Sequence, residues 1–231
     1  MFVIEGINDL RTLSDVIGGE LYSNNESFTG ITTDSREEVN GGVYLALKGE
    51  SFDGDIFCKD AIDNGSIAVI TDNPETLGRF ILVKDTYDAL LKIASHHHKQ
   101  INPKTIAITG SNGKTSVKEM MGKILDSDKT VITKSNENNQ FGIPYTILRC
   151  KSSTENLVLE CGARHDGDFK KIAEHFEFDQ LVITNINNSH VGIFGSVKNI
   201  IRTKLELIKA VKDSGNIIAV SYTHLRAHET V

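Results

Sequence analysis

The sequence predicts an α/β protein in which a small mixed α/β N-terminal domain precedes an incomplete parallel-sheet ATPase domain with a phosphate-binding loop (P-loop). Three observations lead to this. A short β-branched run at 105–109 enters a loop with two glycines, and helical apolar spacing follows. Strand and helix patterns then alternate to residue 220, as parallel sheets require. The first hundred residues instead carry short strands and helices separated by glycine turns.

The composition is ordinary for a globular chain and has no basic excess. The 231 residues are 39% hydrophobic and 24% charged, with a net charge of −6, which argues against nucleic acid as a partner. No apolar run approaches ~18 residues, so no membrane span is expected, and the start of the chain lacks the features of a signal peptide. The widely spaced Cys58, Cys150 and Cys161 fit reduced thiols. We therefore expect a cytoplasmic monomer.

The loop is the most informative stretch of the chain. Backbone N–H groups and the positive end of the following helix would face an anion, Lys114 adds a point charge, and the Thr115 hydroxyl can bind Mg²⁺. The general pattern G-x-x-x-x-G-K-[ST] would need glycine at position 108, which is Ile108 here. The flanking strand and helix still favour an ATP site over a turn that merely uses glycine. The predicted site comprises Gly110, Ser111, Asn112, Gly113, Lys114, Thr115 and Ser116.

Before the loop, the sequence predicts three helices and several short strands. The first helix starts near Leu10 and stops at the glycines 18–19, and the last runs from 87 to about 100. The consecutive residues 96–98 are histidines, but on a helix they point about 100° apart and cannot converge on one metal ion. We interpret them as the solvated end of that helix. Residues 102–103, Asn-Pro, end the helix and mark the domain boundary.

After the loop, polar residues occur where predicted strands end, and ligands bind at that edge of open parallel sheets. Glu160 ends the strand 156–160, Asn185 ends the strand 180–185, and His190 lies in the next loop. A carboxylate, an imidazole and the Thr115 hydroxyl suit Mg²⁺, which takes few protein ligands. The alternatives are a solvated strand end for Glu160 and a loop histidine. A helix is predicted over 196–211 and a last strand over 216–220.

Five segments together resemble motifs of the Mur ligase family, in the right order and over roughly residues 10–220. They are 33–36 (Thr-Asp-Ser-Arg), 110–115 (Gly-Ser-Asn-Gly-Lys-Thr), 135–144, 159–163 and 184–206. The resemblance implies an ATP- and Mg²⁺-dependent amide ligase of peptidoglycan precursor synthesis. In the member it resembles most, the terminal carboxylate of UDP-N-acetylmuramoyl-tripeptide becomes an acyl phosphate, which the amine of D-alanyl-D-alanine attacks.

The resemblance also implies roles for individual residues. Lys114 would contact the β- and γ-phosphates, while Thr115, Glu160 and His190 would hold Mg²⁺. Lys204 matches a lysine that CO₂ carbamylates in the family, giving an anion that can help to hold a second metal ion; the alternative is a lysine on a solvated helix face. Ser35 and Arg36 would bind the uridine nucleotide, and Asn138 and Asn139 would meet ATP or the muramoyl peptide, the alternative being a turn.

The implied domains are 1–101 for the UDP-muramoyl peptide and 102–220 for ATP. The family has a third domain, which this sequence does not contain, and the tail 221–231 resembles nothing in the family. We therefore expect a truncated ligase with a foreign tail, inactive alone. The alternatives are the sister ligase that adds the third residue of the peptide, a non-catalytic module that binds UDP-muramoyl peptide, and a general P-loop ATPase.

Overall fold

The structure, a computed structural model, describes residues 1–49, 52–135, 137–163, 165, 167–186 and 196–219. It divides into two compact units, Met1–Ile101 and Asn102–Val231. Each unit contains a five-stranded sheet with helices, which confirms the predicted α/β class. The tail 221–231 and His190 lie outside the described residues.

The first unit has a mixed sheet in the strand order β1-β5-β4-β3-β2, in which only the edge strand β1 runs antiparallel to its neighbour. The central strands are apolar and fully buried, as expected for strands covered on both faces. A 3₁₀ turn, Gly54–Phe57, leads into the second helix. The elements are α1 (Leu10–Ile17), β1 (Glu20–Tyr22), β2 (Ile31–Thr32), β3 (Val43–Leu45), α2 (Cys58–Asp63), β4 (Ala68–Thr71), β5 (Phe80–Leu82) and α3 (Thr86–Ile101).

The residues at the two ends of helix α1 explain why the sequence predicts where this helix begins and ends. The Asp9 carboxylate accepts the backbone N–H groups of Arg11 (3.1 Å) and Thr12 (3.0 Å), which satisfies donors that the first turn leaves open. At the other end Gly18 adopts the left-handed conformation, with φ of 68°, which glycine adopts without steric cost. The predicted helix that stops at the glycines is confirmed.

The expectation for the three histidines is wrong for two of them. His97 is 1% and His98 7% exposed, although both lie in the last two turns of α3. The N-terminal segment packs there: the Glu5 N–H donates to His97 Nδ1 at 3.0 Å. This part of α3 is therefore buried by a segment that is distant in sequence, which helical periodicity could not reveal.

The second unit has a wholly parallel sheet in the order β10-β9-β6-β8-β7. Helix α4 packs Val117 and Met121 against Ile106, Ile108 and Val158 of the sheet. None of the helices described in either unit has the length and apolarity needed to cross a membrane. The elements are β6 (Lys104–Thr109), α4 (Lys114–Ile124), β7 (Thr130–Ile132), α5 (Gly142–Leu148), β8 (Asn156–Glu160), α6 (Asp168–His175), β9 (Phe178–Ile183), α7 (Val197–Glu206) and β10 (Val211–Ala219).

The predicted helix 196–211 and last strand 216–220 have different bounds in the structure. Helix α7 ends at Glu206, a 3₁₀ turn covers Leu207–Ala210, and β10 already begins at Val211. The pairing of β10 with β9 is irregular between Val211 and Asn216. The polar residues in that interval lack strand alternation because the register shifts there, so the pattern concealed the start of the strand.

The cap of α1 yields a prediction about stability. Replacing Asp9 with Ala should lower the free energy of unfolding by about 1 kcal/mol. Hydrogen bonds from Thr12 lower the pKa of Asp9, so its contribution is complete above the unfolded-state pKa and disappears as pH falls through the folded-state pKa. Urea unfolding at pH 7 and at steps below pH 4 measures both effects.

The matched control is Asp9→Asn, which keeps an oxygen acceptor for the same N–H groups and should retain most of the stability at pH 7. If Asp9→Ala and the parent chain unfold at the same urea concentration at pH 7, the carboxylate does not cap the helix in solution.

Candidate functional site

The loop between β6 and α4 depends on glycine at one position. Gly110 has φ of 146°, and a Cβ there would lie 2.0 Å from Thr184 Oγ1 and 3.0 Å from the Asn185 carbonyl oxygen. A side chain therefore has neither the backbone conformation nor the space that it needs. Gly113 is left-handed as well, with φ of 80°, and has no neighbour within 4 Å of such a Cβ. It turns the chain directly into α4 at Lys114.

The segment that follows β9 holds the loop in shape. The Ser111 N–H donates to the Asn185 carbonyl (2.9 Å), and the Asn112 N–H donates to Asn185 Oδ1 (2.9 Å). The Asn112 carbonyl in turn accepts from Asn185 Nδ2 (3.1 Å) and Thr184 Oγ1 (2.6 Å). Asn185, predicted only as a polar strand end, thus binds the backbone of Asn112 on both sides. The loop is pre-formed by protein contacts.

Two lysines converge on one carbonyl of this loop. The Gly110 oxygen accepts from Lys114 Nζ and from Lys204 Nζ, each at 2.9 Å. Burial lowers the pKa of Lys114, and burial together with the Lys114 charge lowers the pKa of Lys204 to about 8. Lys204 is only 7% exposed, so the alternative of a solvated helix face is wrong. An anion bound here would relieve the repulsion between the two ammonium groups.

Glu160 is the buried carboxylate of the site, at the carboxyl end of β8. It is 1% exposed, so the alternative of a solvated strand end is wrong. Its Oε1 accepts from Thr115 Oγ1 (3.0 Å) and Asn138 Nδ2 (2.9 Å). Its buried Oε2 has no hydrogen-bond partner among the described residues. The fold thus joins three predicted site residues that are far apart in sequence.

These atoms fit a hard cation. The Thr115 hydroxyl donates its hydrogen to Glu160, which leaves the lone pairs of the hydroxyl oxygen for a ligand. Glu160 Oε2 is a buried carboxylate oxygen that accepts no hydrogen bond within the described structure. Oxygen donors of this kind suit Mg²⁺, which keeps most of its waters. Within the described ranges, no three His, Cys, Asp or Glu side chains cluster as a metal site.

The neighbouring residues Asn138 and Asn139 make different contacts in the structure. Asn139 Oδ1 accepts the N–H groups of Phe141 (3.1 Å) and Gly142 (2.9 Å) and so forms a turn directly before α5. A turn was the alternative given above for this residue. Asn138 donates to Glu160 and its carbonyl accepts the Gly162 N–H at 2.7 Å. Asn138 therefore belongs to the site, and for Asn139 contact with a ligand stays a prediction. The exposed Ser116 lies in the first turn of α4.

In the first unit, Ser35 and Arg36 line a cavity of about 570 Å³ together with Phe52 and Phe57. The Arg36 guanidinium forms a two-pronged pair with Asp34, with both distances 2.8 Å, and these hydrogen bonds lower the pKa of Asp34 to about 2. Ser35 is 8% exposed. The cavity thus combines aromatic surface with a cation and a hydroxyl, as ligand pockets commonly do.

Sequence reasoning missed Lys118 and Thr133, which lie beside Glu160. Lys118 is 1% and Thr133 0% exposed. Lys118 stands three and seven residues before Met121 and Leu125, both of which pack on the sheet. A lysine on the apolar face of a helix was the available signal.

Two family models match the chain. The Mur ligase middle domain matches residues 108–228, and the Mur ligase family catalytic domain matches residues 27–129. Among curated relatives, the UDP-N-acetylmuramoyl-tripeptide–D-alanyl-D-alanine ligase of Haemophilus influenzae is 34% identical over 84% of this chain and 44% of its own length. The ligase of the same name from Bacillus subtilis is 34% identical over 91% of this chain and 48% of its own.

Solved structures of MurF ligases are also similar to this chain. MurF from Acinetobacter baumannii superposes with a TM-score of 0.86 at 31% identity, covering 94% of this chain and 50% of that chain. MurF ligase from Thermotoga maritima, solved in complex with ADP, has a TM-score of 0.78 at 29% identity, covering 93% and 48%. The chain spans about half the length of the relatives that it matches.

The contact at Gly110 generates a matched pair of substitutions. Gly110→Ala should cost about 3 kcal/mol of unfolding free energy, because the new Cβ would overlap Thr184 in a backbone conformation that alanine avoids. Gly113→Ala should cost only about 1–2 kcal/mol, since alanine is strained in the left-handed conformation but its Cβ would not clash with any neighbour. Chemical unfolding of both variants measures the difference, and equal costs would show that the approach of the strand end to Gly110 is not a real constraint.

Proposed function

The chain belongs to the Mur ligase family, and from this we propose that it carries the nucleotide and UDP-muramoyl-peptide sites of an ATP-dependent amide ligase. The proposed reaction joins D-alanyl-D-alanine to UDP-N-acetylmuramoyl-tripeptide, the reaction named by the relatives compared above. The observation that carries the proposal is the pre-formed loop 110–115 with Thr115 hydrogen-bonded to the buried Glu160. The relatives do not favour the sister ligase.

The phosphates of ATP would bind at the loop. Gly113 precedes α4 directly, so the first N–H groups of the helix and the positive end of its dipole are available to an anion. Lys114 Nζ donates to the backbone carbonyls of Gly110 at 2.9 Å and of Ser111 at 3.3 Å. Its partial burial makes the ammonium a stronger electrostatic partner for phosphate than an exposed lysine would be.

Mg²⁺ would be held by Thr115 and Glu160, and it would supply neutralisation of phosphoryl charge. His190 and a carbamylated Lys204 are the proposed ligands of a second ion. Asn138 helps to fix the Glu160 carboxylate through its 2.9 Å hydrogen bond to Oε1, the oxygen that also accepts from Thr115. The side chains of this chain thus orient one another before any ligand binds.

The lowered pKa of Lys204 supports its carbamylation. A neutral amine attacks the carbon of CO₂, forms the N–C bond and releases a proton, whereas an ammonium cannot react. With a pKa of about 8, a useful fraction of Lys204 is neutral near neutral pH. Conversion to a carbamate would also remove the repulsion from Lys114 and replace it with attraction.

The proposed chemistry needs no side-chain nucleophile. The terminal carboxylate of the tripeptide attacks the γ-phosphorus, ADP leaves, and the resulting acyl phosphate is attacked by the amine of D-alanyl-D-alanine with loss of phosphate. Such reactions are accelerated chiefly by positioning and by charge neutralisation. Lys114 and the first N–H groups of α4 would supply both from this chain.

The cavity at Ser35 and Arg36 is the proposed uridine-nucleotide site. The Arg36 guanidinium uses two of its five N–H donors on Asp34, and the other three would be available to diphosphate oxygens. Phe52 and Phe57 line the same cavity and offer aromatic surface to a base or sugar. Asp34 holds the guanidinium at the cavity through two hydrogen bonds.

Lys114→Ala tests the nucleotide assignment. We expect the affinity for Mg·ADP to fall by about tenfold or more, since a hydrogen bond to a charged group contributes about 1.5–3 kcal/mol. Affinity for UDP-N-acetylmuramoyl-tripeptide should stay within about twofold. Calorimetric titration of the full chain with each ligand separates the two sites.

The control is Lys123→Ala, which removes an exposed lysine from the same helix. Unchanged Mg·ADP affinity in Lys114→Ala would contradict the phosphate site, and loss of both ligands would indicate misfolding. UDP-ligand binding by the parent chain without nucleotide binding would support the non-catalytic alternative.

The carbamylation of Lys204 has its own prediction. At a fixed concentration of dissolved ¹³CO₂, the ¹³C carbamate signal of the chain should rise as pH increases through about 8, because the neutral amine increases there. Lys204→Arg keeps the charge but cannot form the carbamate, so its spectrum should lack this signal. The amino terminus also reacts and serves as an internal reference in both samples. Identical spectra would contradict the assignment.

A further inference from the structure

Lys118 is a buried cation that is not part of the proposed nucleotide or metal site. It lies one turn after Lys114 in α4, and its side chain is 1% exposed. Its Nζ donates to the Thr133 carbonyl at 2.9 Å. Thr133 Oγ1 accepts the backbone N–H of Glu160 at 2.9 Å, so Thr133 links the lysine to the carboxylate residue. Burying an ammonium group is costly unless an anion compensates.

Two carboxylates are close enough to compensate. Glu119 Oε1 lies 2.9 Å from Lys118 Nζ, and because its side chain is 54% exposed, solvent screens this interaction from the Glu119 side. Glu160 Oε2 lies 3.9 Å from the same Nζ, and its side chain is 2% exposed. Glu160 is therefore the buried carboxylate that faces Lys118, and solvent screens their attraction less than it screens the pair with Glu119.

Glu160 is held differently at its two oxygens. Oε1 accepts hydrogen bonds from Thr115 and Asn138. Oε2 accepts none within the described structure and faces the Lys118 charge at 3.9 Å. That distance is too long for a hydrogen bond, so Lys118 stabilises the carboxylate without occupying its oxygen. Such an arrangement fixes the orientation of the carboxylate and leaves Oε2 available.

We propose that Lys118 is a positioning residue, whose buried charge holds Glu160 in the orientation that receives the Thr115 hydroxyl and admits a divalent cation. This inference rests on the proposed function for its metal-dependent part. Lys118 differs from Lys114, whose Nζ binds the carbonyls of the loop itself. The two lysines of one helix thus act on different partners, one on the phosphate loop and the other on the carboxylate.

The test uses Lys118→Gln in the full chain, because glutamine can still donate to the Thr133 carbonyl but carries no charge. ADP affinity is measured by calorimetry over a series of Mg²⁺ concentrations and in EDTA. We expect the Mg²⁺ concentration for half-maximal ADP binding to rise by about tenfold, as for other partners that orient metal-site groups. Binding in EDTA should stay within about twofold.

Three further variants define the mechanism. Lys118→Arg restores the charge and should recover most of the Mg²⁺ dependence. Lys123→Gln makes the same substitution at an exposed position of α4 and should change nothing. Glu119→Gln removes the exposed partner and should also leave the Mg²⁺ dependence unchanged. The proposal is overturned if Lys118→Gln titrates like the parent chain, if it weakens binding equally with and without Mg²⁺, or if Glu119→Gln reproduces its effect.

A measurement of folding stability, which needs no ligand, tests the pairing of Lys118 with Glu160 independently of nucleotide binding. In a double-mutant cycle of Lys118→Gln and Glu160→Gln, followed by urea unfolding, the double variant should be more stable than the sum of the two single effects predicts. If Lys118→Gln alone fails to fold, the double variant should fold again. Additive effects, or a double variant that stays unfolded, would overturn the pairing even if the chain binds no nucleotide.

Discussion

The second unit depends on the close approach of the end of β9 to Gly110. Thr184 and Asn185 lie so near the Gly110 Cα that a Cβ would overlap the Thr184 hydroxyl. This contact lets Asn185 bind the backbone of Asn112 from both sides. The loop therefore has its shape because two neighbouring strands of a parallel sheet end at the same edge. The start of α4 and the positions of the lysines around the Gly110 carbonyl follow from it.

Charge is arranged in two sets around this loop. Lys114 and Lys204 share the Gly110 carbonyl. Burial lowers the pKa of both lysines, and the Lys114 charge lowers the pKa of Lys204 further. Lys118 and Glu160 instead form a buried pair of opposite charge. The first set attracts an anion, while the second presents a carboxylate oxygen to a cation. A nucleotide with its magnesium ion carries both charges, so one ligand would satisfy both sets.

The sequence correctly predicted those elements whose ends depend on interactions between residues close together in the chain. Asp9 and Gly18 bound α1 through capping and a left-handed residue, and both effects act within a few residues. The loop before α4 was predictable in the same way, because its glycines and Lys114 are close together in the chain. The strand end at Glu160 and the α/β class followed from the alternation of strand and helix patterns. The resemblance to the Mur ligase family rested on the order of these motifs, and the family models confirm it.

The features that the sequence analysis predicted wrongly or missed depend on contacts between segments that are distant in the chain. Burial of His97 depends on the N-terminal segment, and the early start of β10 depends on an irregular register with β9. The buried carboxylate that faces Lys118 comes 42 positions further along the chain. The sequence alone determined which groups the site contains, because residue type sets charge, hydrogen-bonding capacity and backbone freedom. Only the tertiary structure decided which of them meet and which are buried, because desolvation and close contact arise when segments distant in sequence pack together.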